Sequence, residues 1–256
     1  MKNIVFIPNI KVDDGLRSIP YQYSIKSWKH FCTKYDCELL VWEDLLFPIE
    51  EMKITWQRYF LFDILDGNNI EYDQVLMVDA DTIVHPDCPN FFDETDNKYC
   101  GVMNDGCYEW VTRSINNFGV QLFEGKTIHP SLYINGGFQI VNKNHKDFFM
   151  TMKNYYQDNS VKIQAAIDEI KAGTDQTIIN YMLRLNNIDV KILPPCYNLQ
   201  DLFRKNLLHI PGHAWWHDSL KQLYMAGWVY HFNAIPHDAG RDVGYWMERV
   251  YKELYS

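Results

Sequence analysis

Two acidic residues, Asp79 and Asp81, stand directly after the apolar segment Val75-Leu76-Met77-Val78. Alternate residues of an extended segment point to the same side, so both carboxylates are expected to face one ligand. No Lys or Arg stands beside them in the sequence, and two like charges repel unless a cation lies between them. Mg²⁺ and Mn²⁺ prefer such oxygen ligands and bridge diphosphates. The alternative is a pair that caps a turn and faces water, because two acids at this spacing are common.

The segments before this pair predict alternating strands and helices. Apolar runs at 3–7, 38–42 and 74–78 indicate buried strands, and apolar residues at helical spacing indicate helices over 21–35 and 55–65. Strands that alternate with helices form parallel sheets with right-handed crossovers. Ligands bind at the carboxyl ends of such strands, where the acidic pair is predicted to lie.

The rest of the chain predicts further strands and helices. In order they are a strand at 99–103, a strand at 132–142 interrupted by Gly136-Gly137, helices at 145–156, 161–171 and 174–185, a strand at 190–193 and a helix at 242–255. Thr174 is the expected N-cap of its helix, so Asp175 would face backbone N–H groups that keep it ionised. The length of 256 residues suits one α/β domain with a mixed, mainly parallel central sheet flanked by helices.

Composition excludes several classes of function. The formal net charge of −9 argues against non-specific nucleic-acid binding, which needs clustered Lys and Arg. The first ten residues lack the apolar core and cleavage site of a signal peptide, and no apolar segment is long enough to cross a bilayer. We therefore expect a soluble, cytoplasmic protein with no nucleic-acid partner and no membrane span.

Several segments resemble known motifs in both order and spacing. They are Val78-Asp79-Ala80-Asp81-Thr82, Asn135-Gly136-Gly137-Phe138-Gln139-Ile140-Val141-Asn142, Asp175-Gln176 and His231-Phe232, with Arg58 in the helix before the acidic pair. These segments resemble the "LDADTLV", "NSGVMLIN", "DQ" and late-histidine motifs of the GT-A glycosyltransferases, above all the glycogenin-like and galactosyltransferase-like families. The resemblance extends over roughly residues 1–235, and Ser24-Ile25-Lys26-Ser27-Trp28-Lys29 resembles a large-virus glycosyltransferase domain.

The resemblance implies a single GT-A (Rossmann-like) domain. Residues 1–103 would form the nucleotide-binding half, and residues 104–256 the acceptor-side half with a C-terminal flap and helix. A sugar would pass from a nucleotide-sugar, most simply a UDP-sugar, to a carbohydrate or other hydroxyl acceptor. The cofactor would be Mn²⁺ or Mg²⁺, with Asp81 and His231 as ligands. Asp79 would join the metal site through water or meet the donor ribose. A histidine in an aromatic cluster is the alternative interpretation of His231.

The resemblance also implies where the donor binds. Its candidate residues are Pro8 and Asn9 in the loop that cups uracil and ribose, with Arg17 as a further candidate, then Arg58, Asn135, Gly136, Gly137 and Gln176. Arg58 would pair with the pyrophosphate or the sugar, or else lie on a solvated helix face. Gly136-Gly137 would let backbone approach a ligand, or form a β-bulge. The side chains of Asn135 and Gln139 would be available for sugar hydroxyls.

Two acids are candidates for catalysis. By resemblance, Asp175 lies at the donor sugar and the acceptor. It would be the general base if the anomeric centre is inverted, or would stabilise the oxocarbenium face if it is retained. Asp105 is the second candidate, because it follows the apolar strand that ends at Met103. The predicted flap holds His209, His213, Trp215, Trp216 and His217, with tryptophans that would stack on sugar rings or plug the domain edge.

Two other functions compete with this interpretation. A sugar-phosphate nucleotidyltransferase normally carries a Gly-rich and basic loop after its first strand, but residues 8–15 are acidic and poor in glycine. A non-catalytic carbohydrate-binding protein is usually β-rich and needs no acidic pair at a strand end. One departure from the GT-A pattern is that no Lys follows His231, and Arg241 or Lys205 would have to meet the pyrophosphate instead.

Overall fold

The computed structural model describes residues 2–12, 16–208, 220–236 and 241–256. The strands in these ranges are β1 (Lys2–Pro8), β2 (Glu38–Trp42), β3 (Tyr72–Val78), β4 (Thr82–Val84), β5 (Tyr99–Met103), β6 (Ile134–Asn142), β7 (Val190–Leu193) and β8 (Val229–His231). The α-helices are α1 (Gln22–Tyr35), α2 (Ile54–Gln57), α3 (Leu61–Gly67), α4 (Tyr108–Leu122), α5 (Lys146–Ile170), α6 (Asp175–Leu185), α7 (Lys221–Ala226) and α8 (Val243–Tyr255).

Six strands form the central sheet in the order β2-β1-β3-β6-β5-β7. Neighbouring strands run parallel except at β6, which pairs antiparallel with both β3 and β5. Strands from both parts of the chain therefore share one sheet. The predicted α/β class, with a mixed and mainly parallel sheet flanked by helices, is confirmed.

Apolar side chains cover both faces of the central strand β3. Val75 and Met77 belong to one buried cluster, and Leu76 and Val78 belong to another. All four are fully buried. Side chains of a strand alternate between its faces, so a continuous apolar run is what a strand with helices on both sides requires. This packing fixes the carboxyl end of β3, from which the acidic pair follows.

Three predicted helices have different bounds in the structure. The prediction of separate helices at 145–156 and 161–171 is wrong, because α5 is one helix of 25 residues. The polar segment 157–160 contains neither Gly nor Pro, so nothing interrupts the helical hydrogen bonds. The predicted helix at 55–65 is divided into α2, a 3-10 turn at Arg58–Phe60 and α3. That turn carries Arg58.

The structure also differs from the prediction of a strand interrupted at Gly136-Gly137. The backbone of β6 runs unbroken through Gly136-Gly137, and the predicted interruption appears instead as a shift in its register with β5 between Gly101 and Met103. The small antiparallel sheet of β4 and β8, and the helix α4, were not predicted. Across the ranges that the structure describes, every helix is too short or too polar to span a bilayer.

Candidate active site

The acidic pair lies in a tight turn between β3 and β4. The Asp79 backbone N–H donates to the Gly137 carbonyl of β6 at 3.0 Å, and the Thr82 hydroxyl donates to the Asp79 carbonyl at 2.8 Å. Strand β4 then pairs with β8, which sets Thr82 opposite His231. Two strands that are distant in sequence thereby bring the late histidine to the carboxyl end of β3.

Asp79, Asp81 and His231 form one group of possible metal ligands, called the metal cluster below. One ligand atom of each lies within 4.8 Å of the other two. His231 Nε2 is 3.2 Å from Asp81 Oδ1 and 3.7 Å from Asp79 Oδ2. Carboxylates favour Mg²⁺ and Mn²⁺, and imidazole is a common ligand of divalent transition metals. The donor set therefore fits a divalent cation.

The charges of Asp81 and His231 stabilise each other. Burial lowers the pKa of His231, but the surrounding carboxylates, Asp81 above all, together outweigh burial and raise that pKa above its usual value. Burial likewise raises the pKa of Asp81, but the charge and hydrogen bond of His231, a backbone hydrogen bond and the charge of Arg58 together outweigh burial and lower that pKa. The buried Nδ1 of His231 has no hydrogen-bond partner within the described residues. A cation bound here would replace the imidazolium proton as counter-charge, as metal ligation by a neutral imidazole requires.

Gly137 gives the metal cluster its space. A Cβ added at Gly137 would lie 2.5 Å from Asp79 Oδ2 and 2.6 Å from His231 Cε1, closer than real Cβ contacts. At the neighbouring Gly136 an added Cβ would make ordinary contact, 3.4 Å from Gln176 Cβ. The sequence predicted that this pair lets backbone approach a ligand. In the structure, Gly137 lets two candidate metal ligands approach the backbone.

Arg58 is buried between two acids. Its Nη1 lies 2.9 Å from Asp79 Oδ1 and donates to the Gly136 carbonyl at 2.8 Å, and its Nε lies 3.8 Å from Asp175 Oδ2. Burial lowers the pKa of Arg58, but the two carboxylates outweigh this effect and raise it. No Lys or Arg stands beside the acidic pair in the sequence, but Arg58 reaches Asp79 from the preceding helical segment. The alternative of a solvated helix face for Arg58 is excluded.

Asp175 is a buried acid that lies close to Arg58. Thr174 caps α6 by accepting from the Gln176 backbone N–H at 3.4 Å, and the Tyr59 hydroxyl donates to Asp175 Oδ2 at 3.1 Å. Burial raises the pKa of Asp175, and Arg58 opposes that rise only in part. This direction is opposite to the one expected from a helix N-terminus. Desolvation therefore outweighs the helix dipole here.

Asp105, the second predicted catalytic acid, has a different environment. It forms an ion pair with Lys205 at 2.6 Å, and it is not one of the described residues that line either cavity at the metal cluster. Lys205, a predicted partner of the pyrophosphate, is therefore paired with Asp105 instead. Of the two acids, Asp175 alone lines a cavity together with the metal cluster.

Two cavities are each lined by both carboxylates of the metal cluster. The first has a volume of about 350 Å³ and the second about 330 Å³. The residues that line both cavities are Thr55, Arg58, Asp79 and Asp81. The predicted donor-binding residues Pro8 and Asn9 line the second cavity, and the buried Oδ1 of Asn9 has no hydrogen-bond partner within the described residues. Asp175 and His231 line the first cavity.

Several predicted donor-binding side chains are held by the protein itself. Asn135 Oδ1 accepts from the Gly137 N–H at 2.9 Å, and its Nδ2 donates to Gln200 at 2.7 Å. Gln176 Oε1 accepts from the Gly136 N–H at 2.8 Å. Gln139 is fully buried and donates to the Gly136 carbonyl at 2.7 Å, so the expectation that it is available for sugar hydroxyls is wrong. Asn135 and Gln176 still line the first cavity.

Some lining residues of the first cavity were not predicted to belong to the site. They are Thr55, Asn104, Cys107, Trp110, Thr174, Asp201, Arg204, Asn233 and Ala234. Cys107 and Trp110 lie at the start of the unpredicted helix α4. The apolar spacing of Val111, Ile115 and Phe118 is the signal that could have shown this helix. The predicted flap residues from His209 to His217 lie outside the described ranges.

The chain shares its overall fold with two solved glycosyltransferases, and the fold agrees with the GT-A resemblance seen in the sequence. One similar structure is a glycosyltransferase involved in the glycosylation of the major capsid of PBCV-1, with a TM-score of 0.62, 10% identity and coverage of 97% of this chain and 100% of that chain. Another is the apo-form glycosyltransferase GlyE of Streptococcus pneumoniae TIGR4, with a TM-score of 0.51 and 15% identity. That alignment covers 99% of this chain but only 59% of GlyE. No protein-family model and no curated protein sequence matches the chain.

Proposed function

We propose that this protein is a metal-dependent glycosyltransferase that moves a sugar from a nucleotide-sugar, most simply a UDP-sugar, to an acceptor hydroxyl. The observation that carries the proposal is that two cavities are each lined by both carboxylates of the metal cluster. The second cavity suits the nucleotide, with Pro8 and the unpartnered oxygen of Asn9 in its wall. The first cavity, with the buried acid Asp175, suits the sugar and the acceptor.

The metal cluster would hold Mn²⁺ or Mg²⁺ through Asp81 and His231. Asp79 would offer Oδ2 alone, because Arg58 occupies its Oδ1. A divalent cation bound there offsets the negative charge that develops on a departing nucleoside diphosphate. Arg58 holds Asp79 in place and does not need to meet the pyrophosphate itself.

Asp175 would act at the other side of the anomeric carbon. In the transfer, a bond forms between the acceptor oxygen and the anomeric carbon, and the bond from that carbon to the diphosphate oxygen breaks. If the configuration inverts, the hydroxyl proton passes to Asp175, whose raised pKa favours proton uptake. If the configuration is retained, the proton passes to the departing diphosphate, and the Asp175 carboxylate stabilises the oxocarbenium-like centre.

Release of UDP from UDP-sugars in the presence of Mn²⁺ tests this proposal. A glycosyltransferase hydrolyses its donor slowly without an acceptor, so free UDP should accumulate from at least one UDP-sugar and should stop with EDTA. A carbohydrate-binding protein releases no UDP. A nucleotidyltransferase instead releases pyrophosphate from a nucleoside triphosphate and a sugar phosphate. Either of those two results would overturn the proposal.

A further inference from the structure

One wall of the first cavity lies outside the proposed donor site. It is formed by the segment after β5 and the start of α4, with Asn104 and Trp110, and by the turn that holds Asp201 and Arg204. None of these four residues lines the second cavity, where we place the nucleotide. We call these four residues the acceptor wall. They face the same space as Asp175 and the metal cluster.

The acceptor wall is built as a fixed surface. A Cβ added at Gly106 would lie 1.7 Å from Asp201 Oδ2, so this glycine allows the two segments to pack directly against each other. Asp201 has a positive φ of 52°, and its backbone N–H donates to Asn233 Oδ1 at 2.9 Å. The buried Asp201 carboxylate accepts from Arg204, whose side chain is half exposed. The carboxylate and the guanidinium are therefore held together at the cavity.

Trp110 provides the apolar part of this wall. The ring is half-buried and packs edge-on against Tyr133, with ring centroids 6.5 Å apart and an interplanar angle of 80°. Contact with the buried core fixes the indole while part of it lines the cavity. Among the described lining residues it is the one large apolar side chain, because the others are polar, charged or small.

We propose that the acceptor is a carbohydrate and that Trp110 and Arg204 determine its specificity, an inference that rests on the proposed function. A pyranose ring has an apolar C–H face, which can pack against an aromatic ring. The hydroxyls at its edge can donate to a carboxylate and accept from a guanidinium. The acceptor wall offers one aromatic ring beside a carboxylate, a guanidinium and an amide. A lipid acceptor would need an extended apolar surface, which the polar described residues of this cavity do not provide.

Saturation-transfer NMR with methyl glycosides tests the inference without knowledge of the donor sugar. The probes are methyl α- and β-pyranosides of glucose, galactose, mannose, xylose and fucose, with UDP and Mg²⁺ present. At least one glycoside should bind the wild-type protein. Its affinity should be roughly tenfold weaker in Trp110→Ala, and Trp110→Phe should retain most of the wild-type affinity. Trp228→Ala is the matched control, because Trp228 is also half-buried but lines neither cavity.

The same samples separate failure of the inference from failure of the proposed function. Calorimetry with UDP and Mg²⁺ should give affinities within about twofold of the wild type for both tryptophan variants, because the acceptor wall lies away from the nucleotide. If UDP binds and no glycoside does, or if Trp110→Ala and Trp228→Ala bind glycosides equally, the carbohydrate acceptor is wrong. If UDP itself does not bind, the proposed function fails and the inference with it. If Trp110→Ala does not fold, Arg204→Ala replaces it, because Arg204 has an exposed side chain. Glycoside affinity equal to that of the wild type in Arg204→Ala would also overturn the inference.

Discussion

Two of the acidic groups that line the first cavity have their charges balanced in different ways. In the metal cluster, the side chains of Asp79 and Asp81 are 26% and 23% exposed, and His231 is their partner on one side. The Asp175 side chain is only 4% exposed, and its partners are Arg58 and Tyr59. Asp79 joins the two groups, because its Oδ1 contacts Arg58 and its Oδ2 faces His231.

The difference in exposure separates the roles that the two groups can have. The metal cluster is open to both cavities and can exchange one counter-charge for another, which suits reversible binding of a cation with its nucleotide. The buried acid keeps a permanent counter-charge in Arg58, which suits a group that remains in place and acts on the substrate. In the proposed function, the same chemical group would thus serve binding in one place and catalysis in the other.

The largest effect should come from Asp175→Asn. We expect the turnover number for donor hydrolysis to fall by roughly 10²–10⁴-fold, while donor affinity changes far less, because the lost group acts on the reacting centre. Steady-state kinetics of UDP release measures both quantities. Asp105→Asn is the matched control and should retain most of the turnover, since Asp105 pairs with Lys205 away from the cavities. Equal losses of turnover and affinity in Asp175→Asn would make it a binding residue only.

Next in size is the effect of Arg58→Met on stability. Removal of the guanidinium leaves a buried carboxylate at Asp175 without its cation, so the free energy of unfolding should fall by about 3–5 kcal/mol. Lys98→Met breaks an exposed pair with Asp189 and should cost less than about 1 kcal/mol. Urea unfolding measures both. The double variant Arg58→Met/Asp175→Asn should recover part of the loss, and no recovery would contradict the account of the buried pair.

A smaller effect is expected from Gly137→Ala, which tests how closely the metal cluster is packed. The added methyl group would displace Asp79 or His231, so the affinity for UDP with Mn²⁺ should weaken by about 1–3 kcal/mol. Gly136→Ala adds the same methyl group at ordinary contact distance and should bind nearly as the wild type does. Equal affinities in the two variants would show that the close approach at Gly137 does not shape the site.

The two groups also differ in how far the sequence reveals them. Asp79 and Asp81 are visible because a local apolar strand and a local spacing define them. The pairing of Arg58 with Asp175 joins distant segments, and only the packed fold brings them together. Local patterns also miss that the pKa of Asp175 is raised and not lowered, because its burial depends on which segments pack over the start of the helix. Trp110 was missed for a simpler reason, since its helix was not predicted.

The central claim is that the metal cluster binds a divalent cation together with a nucleoside diphosphate. Calorimetry of UDP binding with Mn²⁺ and with EDTA, on the wild type and Asp81→Ala, tests it most directly. We expect wild-type binding that requires Mn²⁺ and no measurable binding by Asp81→Ala, with unchanged circular dichroism. Asp87→Ala, at an exposed acid nearby in the sequence, should bind as the wild type does. Unchanged, metal-dependent UDP affinity in Asp81→Ala would contradict the account.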